Sequence, residues 1–130
     1  MIGLDTGFSL ELVNGNNEAT RLWKSCLDDQ VDFAVSALSL FEVERLGLKG
    51  KWSNVEAVLN AMNDVTFVVW PDQEILSKAA RLSHGLGIPA VDSLILASLV
   101  SIDCSEIYTT DSHLEAYHNN EVAVRNLRRA

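Results

Sequence analysis

Four carboxylates, each in a separate segment of the chain, are the residues whose types and positions could do chemistry. They are Asp5, Glu42, Asp92 and Asp111. Carboxylates that converge from separate segments repel one another unless cations bind between them, and hard oxygen ligands select Mg²⁺ or Mn²⁺ over Zn²⁺ or Cu²⁺. If the fold brings these acids together, the set predicts a site for Mg²⁺ or Mn²⁺.

Asp5 follows a short apolar segment that is typical of a buried strand. Because an unpaired buried charge is costly, its carboxylate needs either solvent or a cation. A simpler alternative is a turn aspartate that bonds to the backbone of Thr6 and Gly7. Leu4-Asp5-Thr6-Gly7 also matches the motif of aspartic proteases, but those enzymes are mostly β and need a second such motif, which the helices expected here do not suit.

Glu42 and Asp92 each have a structural alternative. The segment Ser39-Leu40-Phe41-Glu42 fits a capping box, in which the glutamate accepts a hydrogen bond from the serine backbone N–H. Helical phase alone does not decide whether Glu42 or Glu44 faces the other acids. Asp92 precedes an apolar run and could be only the N-cap of a buried helix, although a carboxylate near a helix N-terminus also stays ionised easily and suits a metal.

Asp111 has no obvious structural role, because Ser112-His113-Leu114-Glu115 already makes a plausible capping box for the next helix. The three histidines show no HxxxH or HExxH spacing, so we expect them at the surface or partly packed. His113 alone lies close enough to Asp111 to contribute to a site. Two basic groups could contact phosphates if they flank the acids. They are Arg45, Lys49 and Lys51, and Arg125, Arg128 and Arg129.

The elements that must position these acids alternate between strands and helices. We predict strands at 1–4, 32–36, 65–70, 106–110 and near 122–124, and helices at 8–13, 18–29, 39–48, 51–62, 72–85 and 92–102, with a short helix after Asp111. This alternation requires right-handed crossovers and a parallel sheet. It predicts a three-layer α/β/α sandwich with a central, mostly parallel sheet, in which ligands bind beyond the carboxyl ends of the strands.

Length and composition predict one domain over residues 1–130. A chain of this length with 48% hydrophobic residues can bury a substantial core without disulfides or structural zinc. Cys26 and Cys104 form no CxxC pair and suit reduced, buried thiols. Because no segment resembles a signal peptide or is long enough to cross a bilayer, we expect a soluble cytoplasmic protein with no membrane partner.

The net charge of −8 argues against non-specific binding of nucleic acid through a broad basic surface. Divalent cations at the acidic residues would reverse the charge that a phosphate meets there. The overall charge therefore leaves a nucleic-acid substrate open.

Four segments together resemble the PIN-domain family. They are IGLDT at 2–6, VSALSLFE at 35–42, PAVDSLILA at 89–97 and YTTD at 108–111. Their shared features are an acid after the first strand, a serine-rich strand leading to a glutamate, an aspartate opening an apolar helix, and Thr-x-Asp after a strand. The order and spacing match across nearly the whole chain, and within the family the chain is most similar to VapC-type toxins.

The resemblance places Asp5, Glu42, Asp92 and Asp111 at the family's catalytic, metal-binding site, and it favours Glu42 over Glu44. Thr6 and Thr110 match neighbouring hydroxyl positions, whereas Ser112 and His113 stand where members often carry a further acid.

The same resemblance implies a Mg²⁺- or Mn²⁺-dependent endoribonuclease that hydrolyses RNA phosphodiesters, with the cations activating water and stabilising charge on the phosphate. VapC-type relatives form dimers and are neutralised by an antitoxin. It therefore also implies a homodimer, an antitoxin partner and the role of toxin in a toxin–antitoxin pair.

Two other classes of function remain open. The chain could be a PIN-like binding or assembly module without catalysis, which retained metal affinity without RNA cleavage would favour. It could also be an α/β phosphotransfer or receiver protein that uses an aspartate as phosphate acceptor. Receivers pair two acids near the first strand and place a lysine late in the chain, and this sequence has neither.

Overall fold

The computed structural model of the chain describes residues 1–50 and 52–128. Lys51 and Arg129, which the sequence places in basic groups, lie outside the described residues. The strands are β1 (Ile2–Leu4), β2 (Phe33–Ser36), β3 (Phe67–Val69), β4 (Glu106–Thr109) and β5 (Ala123–Asn126). The helices are α1 (Thr6–Val13), α2 (Asn17–Asp28), α3 (Ala37–Gly47), α4 (Val55–Val65), α5 (Gln73–Leu86) and α6 (Ala90–Ser101), and a 3₁₀ turn spans Ser112–Ala116.

The strands form one parallel sheet in the order β3-β2-β1-β4-β5. The central strand β1 pairs with β2 on one side and β4 on the other, so that Leu4 lies opposite both Val35 and Tyr108. This arrangement confirms the predicted α/β class with a parallel central sheet. The strand order also differs from the order 2-1-3-4-5 of receiver proteins.

Helices cover both faces of the sheet. Because consecutive strand residues point to opposite faces, they pack in separate core clusters. Ala34 and Ile107 pack with residues of α5 and α6 in one core cluster. Phe33 and Val35 pack with residues of α1, α2 and α4 in another. The helix α3 joins α1 and α4 through a third cluster around Val43.

A close approach between α6 and the sheet depends on Gly3 in the central strand. A Cβ at this position would lie 3.0 Å from Leu99 Cδ1 and 3.2 Å from Cys104 Sγ. The missing side chain therefore lets α6 lie directly against β1. Among residues 1–50 and 52–128, no helix is both long and apolar enough to cross a membrane.

Several helix boundaries differ from those that the sequence predicts. The helix α3 begins at Ala37, directly after β2, and α6 begins at Ala90 rather than at residue 92. The helix α4 runs on to Val65, which shortens β3 to Phe67–Val69. The short helix after Asp111 is a 3₁₀ turn.

Candidate metal centre

The carboxyl ends of the central strands bring the four acids to one edge of the sheet. Asp5 directly follows β1 and Asp111 lies two residues after the neighbouring β4. The helices α3 and α6 add Glu42 and Asp92. All four line one pocket of about 280 Å³, which Thr6, Gly7 and Thr110 also line. The structure thus places all four acids in one pocket, and within it Asp92 and Asp111 lie close enough, together with His113, to share one ion.

Asp5 is buried and both of its carboxylate oxygens have partners. Oδ1 accepts a hydrogen bond of 2.9 Å from the backbone N–H of Phe8, so Asp5 is the N-cap of α1. Oδ2 accepts a hydrogen bond from the hydroxyl of Thr109. Burial raises the pKa of Asp5 from 3.8 to about 6, although both hydrogen bonds oppose the rise. A bound cation would offset this cost of ionisation.

Thr109 links two of the acids and is absent from the sequence-based set. Its buried hydroxyl donates to Asp5 and accepts a hydrogen bond of 2.8 Å from the backbone N–H of Asp111. The alternation along β4 could have identified it, because Ile107 and Thr109 lie on the same face and are the two fully buried residues of the strand. Thr110, the residue chosen from the resemblance, instead lies against Gly7, where an added Cβ would be 2.0 Å from Thr110 Oγ1.

Glu42 faces the pocket and is held by Thr6. The Thr6 hydroxyl donates to Glu42 Oε1 over 2.6 Å and lies 3.1 Å from the Ser39 hydroxyl oxygen. The alternative of a capping box at Ser39 and Glu42 does not hold, because Ser36 is the N-cap of α3 and accepts a hydrogen bond from the Leu38 backbone N–H. Glu44 is exposed and does not line the pocket.

Asp92 lies in the first turn of α6 and is not its N-cap. That position belongs to Pro89, whose carbonyl accepts from the backbone N–H of Ser93. Without a capping role, the Asp92 side chain is free to face the other acids. Burial raises its pKa from 3.8 to about 7, and a hydrogen bond with Asp111 and the charges of Asp111 and Glu42 add to the rise.

Asp111 has the capping role that the sequence pattern indicates for Ser112. It is the N-cap of the 3₁₀ turn, and its Oδ1 accepts a hydrogen bond of 2.9 Å from the backbone N–H of His113. The capping box expected at Ser112–Glu115 is therefore wrong. His113 Nδ1 also lies 2.9 Å from Asp111 Oδ1 and 3.9 Å from Asp92 Oδ2.

The chemistry of the donor set fits a divalent metal. Asp92, Asp111 and His113 each offer one ligand atom, and these three atoms lie within 4.8 Å of one another. Burial, and after it the neighbouring Asp111 and Glu42, raise the pKa of Asp92 and so oppose its ionisation. A divalent cation would remove that opposition, and carboxylate oxygens are ligands that Mg²⁺ and Mn²⁺ accept.

Four of the basic residues that the sequence suggested as phosphate contacts lie outside the acidic pocket. Arg125 forms an ion pair with Glu106, and Arg128 Nη2 lies 3.8 Å from Glu11 Oε1. Arg45 and Lys49 are exposed near the end of α3. None of these four residues lines the acidic pocket.

Comparison with known proteins places the chain in a family. A model of the PIN domain matches residues 2–119, and no curated protein shows a significant sequence match. VapBC2 from Rickettsia felis, solved with a promoter DNA fragment, aligns with a TM-score of 0.76 and 16% identity over 97% of this chain and 98% of that one. VapC20 from Mycobacterium tuberculosis is described as a sarcin-ricin loop cleaving toxin. It aligns with a TM-score of 0.73 and 20% identity over 95% of this chain and 99% of that one.

A toxin–antitoxin complex from Klebsiella pneumoniae aligns with a TM-score of 0.72 and 20% identity over 95% of this chain and 96% of that one. At these identities the three solved structures establish a shared fold. The match to the family model covers most of the sequence itself, including all four acids. The chain belongs to the PIN-domain family.

Proposed function

We propose that the chain is a metal-dependent endoribonuclease that hydrolyses RNA phosphodiesters and acts as the toxin of a toxin–antitoxin pair. The observation that carries the proposal is the convergence of Asp5, Glu42, Asp92 and Asp111 in one pocket at the carboxyl edge of the sheet. A PIN-family chain with this arrangement has both the fold and the ligands for metal-assisted phosphodiester hydrolysis.

The chain's own residues would orient the ligands before any substrate arrives. Thr109 and the Phe8 backbone N–H fix the carboxylate of Asp5, while Thr6 fixes that of Glu42. Asp92 and Asp111 complete the set from α6 and the end of β4. One or two Mg²⁺ or Mn²⁺ ions held by these acids would lower the pKa of a water and stabilise charge on the attacked phosphate and the leaving oxygen. Ligands oriented in advance reduce the reorganisation needed during the reaction.

The substrate class and the partner are proposed from the solved neighbours. VapC20 is described as cleaving the sarcin-ricin loop, which supports RNA as the substrate here. The Klebsiella pneumoniae structure is described as a toxin–antitoxin complex, which supports an antitoxin partner. We also propose a homodimer, and gel filtration with light scattering that found only monomer at high concentration would contradict it.

Cleavage of a mixed, structured RNA pool tests the nuclease. Purified protein is incubated with Mg²⁺, Mn²⁺ or EDTA, beside Asp92→Asn and a control, Asp64→Asn. Asp64 is an exposed residue of α4, so its substitution makes the same chemical change away from the pocket. We expect wild type and the control to cleave with metal, and Asp92→Asn and the EDTA samples not to.

Cleavage that persists in EDTA, or that is equal in wild type and Asp92→Asn, would remove the catalytic proposal. Metal binding without cleavage of any RNA would instead favour a binding or assembly module.

A further inference from the structure

The imidazole of His113 lies against two acids of the proposed metal site. Its Nδ1 is 2.9 Å from Asp111 Oδ1 and 3.9 Å from Asp92 Oδ2. The ring is anchored through its own backbone, because the His113 N–H donates to Asp111 Oδ1. Its side chain is 57% exposed, so the ring can adjust its position without disturbing the core.

The 2.9 Å contact has the length of an ion pair, and both separations also suit ligand atoms around one metal ion. An ion about 2.1 Å from each ligand places adjacent octahedral ligands about 3 Å apart and opposite ones about 4 Å apart. The two distances from His113 Nδ1 fall at these values, and all three ligand atoms lie within 4.8 Å of one another. A cation between them would need only small side-chain shifts.

We propose that His113 Nδ1 is a direct ligand of a metal ion shared with Asp92 and Asp111, and that this nitrogen makes the site prefer Mn²⁺ to Mg²⁺. The inference rests on the metal site of the proposed function and adds a residue and a metal preference to it. Mg²⁺ takes oxygen ligands in a strict octahedron, whereas imidazole nitrogen suits first-row transition metals. The set of two carboxylates and one imidazole therefore favours a transition metal.

Electron paramagnetic resonance of bound Mn²⁺ tests the ligand directly. Pulsed measurements on the full chain detect coupling to the ¹⁴N nucleus of a coordinated imidazole. We expect this coupling in wild type and in a control, His84→Asn, because His84 is exposed at the end of α5. In His113→Asp, which offers a carboxylate oxygen instead, the coupling should disappear.

Calorimetric titration with Mn²⁺ and with Mg²⁺ tests the preference. We expect wild type to bind Mn²⁺ more tightly than Mg²⁺, and His113→Asp to lower the ratio of the two affinities about tenfold. An absence of Mn²⁺ binding, binding without ¹⁴N coupling, coupling that survives in His113→Asp, or an unchanged ratio would each overturn the inference.

The outcomes separate this inference from the proposed function. Nitrogen coupling in a protein that cleaves no RNA would keep His113 as a ligand and remove the nuclease. Metal-dependent cleavage without nitrogen coupling would keep the nuclease and remove His113 from the ligand set.

Discussion

At the scale of single residues, hydroxyl groups hold the carboxylates of two acids of the site. The Thr6 hydroxyl donates a hydrogen bond to Glu42. The Thr109 hydroxyl donates to Asp5 and accepts a hydrogen bond from the backbone N–H of Asp111. The hydrogen-bonding capacity of Thr109 is thus divided between two of the proposed ligands. Its loss would affect both together, which makes Thr109 a positioning residue.

Replacing Thr109 with valine keeps the shape of the side chain and removes the hydroxyl. The partly buried N–H of Asp111 then loses its acceptor and buried Asp5 loses a donor, so we expect the free energy of unfolding to fall by about 1–3 kcal/mol. Mn²⁺ affinity should fall about tenfold, because the carboxylate of Asp5 is no longer oriented. Urea denaturation in EDTA measures the first effect and calorimetry the second.

Thr109→Ser is the matched control because it retains the hydroxyl. It should recover most of the metal affinity. If the valine and serine variants bound Mn²⁺ equally well, the hydroxyl would have no positioning role.

At the scale of elements, α1 and the end of β4 meet at Gly7. A Cβ on Gly7 would lie 2.0 Å from Thr110 Oγ1 and 3.2 Å from the Thr110 backbone nitrogen. Because Asp5 and Asp111 flank this contact, its spacing also fixes the distance between two proposed ligands. The glycine is required by this contact rather than by a turn, since it lies within α1.

We expect Gly7→Ala to reduce the free energy of unfolding by about 1–3 kcal/mol, as overpacked sites do. The double variant Gly7→Ala with Thr110→Ala removes the nearest contacting atom and should recover part of this loss. Urea denaturation of wild type, both single variants and the double variant gives the coupling. Strictly additive effects would mean that the two side chains do not interact.

The elements also show how far the sequence could predict the structure. The segments that form β1 and β2 are predictable from the sequence, because buried parallel strands are mostly apolar on both faces. Helix starts were harder, because Ser36 and Ser39 are both good N-caps and only the end of β2 decides between them. With Ser36 as the N-cap, Glu42 has no capping role and faces the pocket, as the resemblance implies.

Convergence of the acids was predictable only in part. Asp5 and Asp111 follow strands, so parallel pairing places them at one edge of the sheet. The link through Thr109 depends on which face of the sheet each residue of β4 occupies, and the position of Asp92 depends on Pro89 being the N-cap of α6. These are tertiary facts that no single segment contains.

At the scale of the whole molecule, the clustered acids oppose folding when no metal is bound. The pKa of Asp5 rises to about 6 and that of Asp92 to about 7, mainly because of burial. Between the unfolded value of 3.8 and these values, the folded chain keeps protons that the unfolded chain releases. These groups therefore stabilise the fold less as pH rises through this window.

A pH series of urea denaturation in EDTA tests this effect. As pH rises from 4 to 7, we expect wild type to lose free energy of unfolding relative to Asp92→Asn, which cannot ionise at this position. Asp64→Asn should follow wild type, because Asp64 is exposed in α4. A difference between wild type and Asp92→Asn that stayed flat or grew with pH would contradict the assignment.

Asp5 and Asp111 are helix caps as well as proposed metal ligands, and this determines which substitutions would give an inactive variant that still folds. Each carboxylate accepts a backbone N–H at the start of a helical segment, as well as facing the pocket. Alanine at either position would remove the cap together with the charge, so a loss of activity would be confounded with a loss of fold. Asparagine is a good N-cap and is nearly isosteric with aspartate. Asp5→Asn and Asp111→Asn would therefore remove the charge while keeping the helix cap, so that a loss of activity could be told apart from a loss of fold.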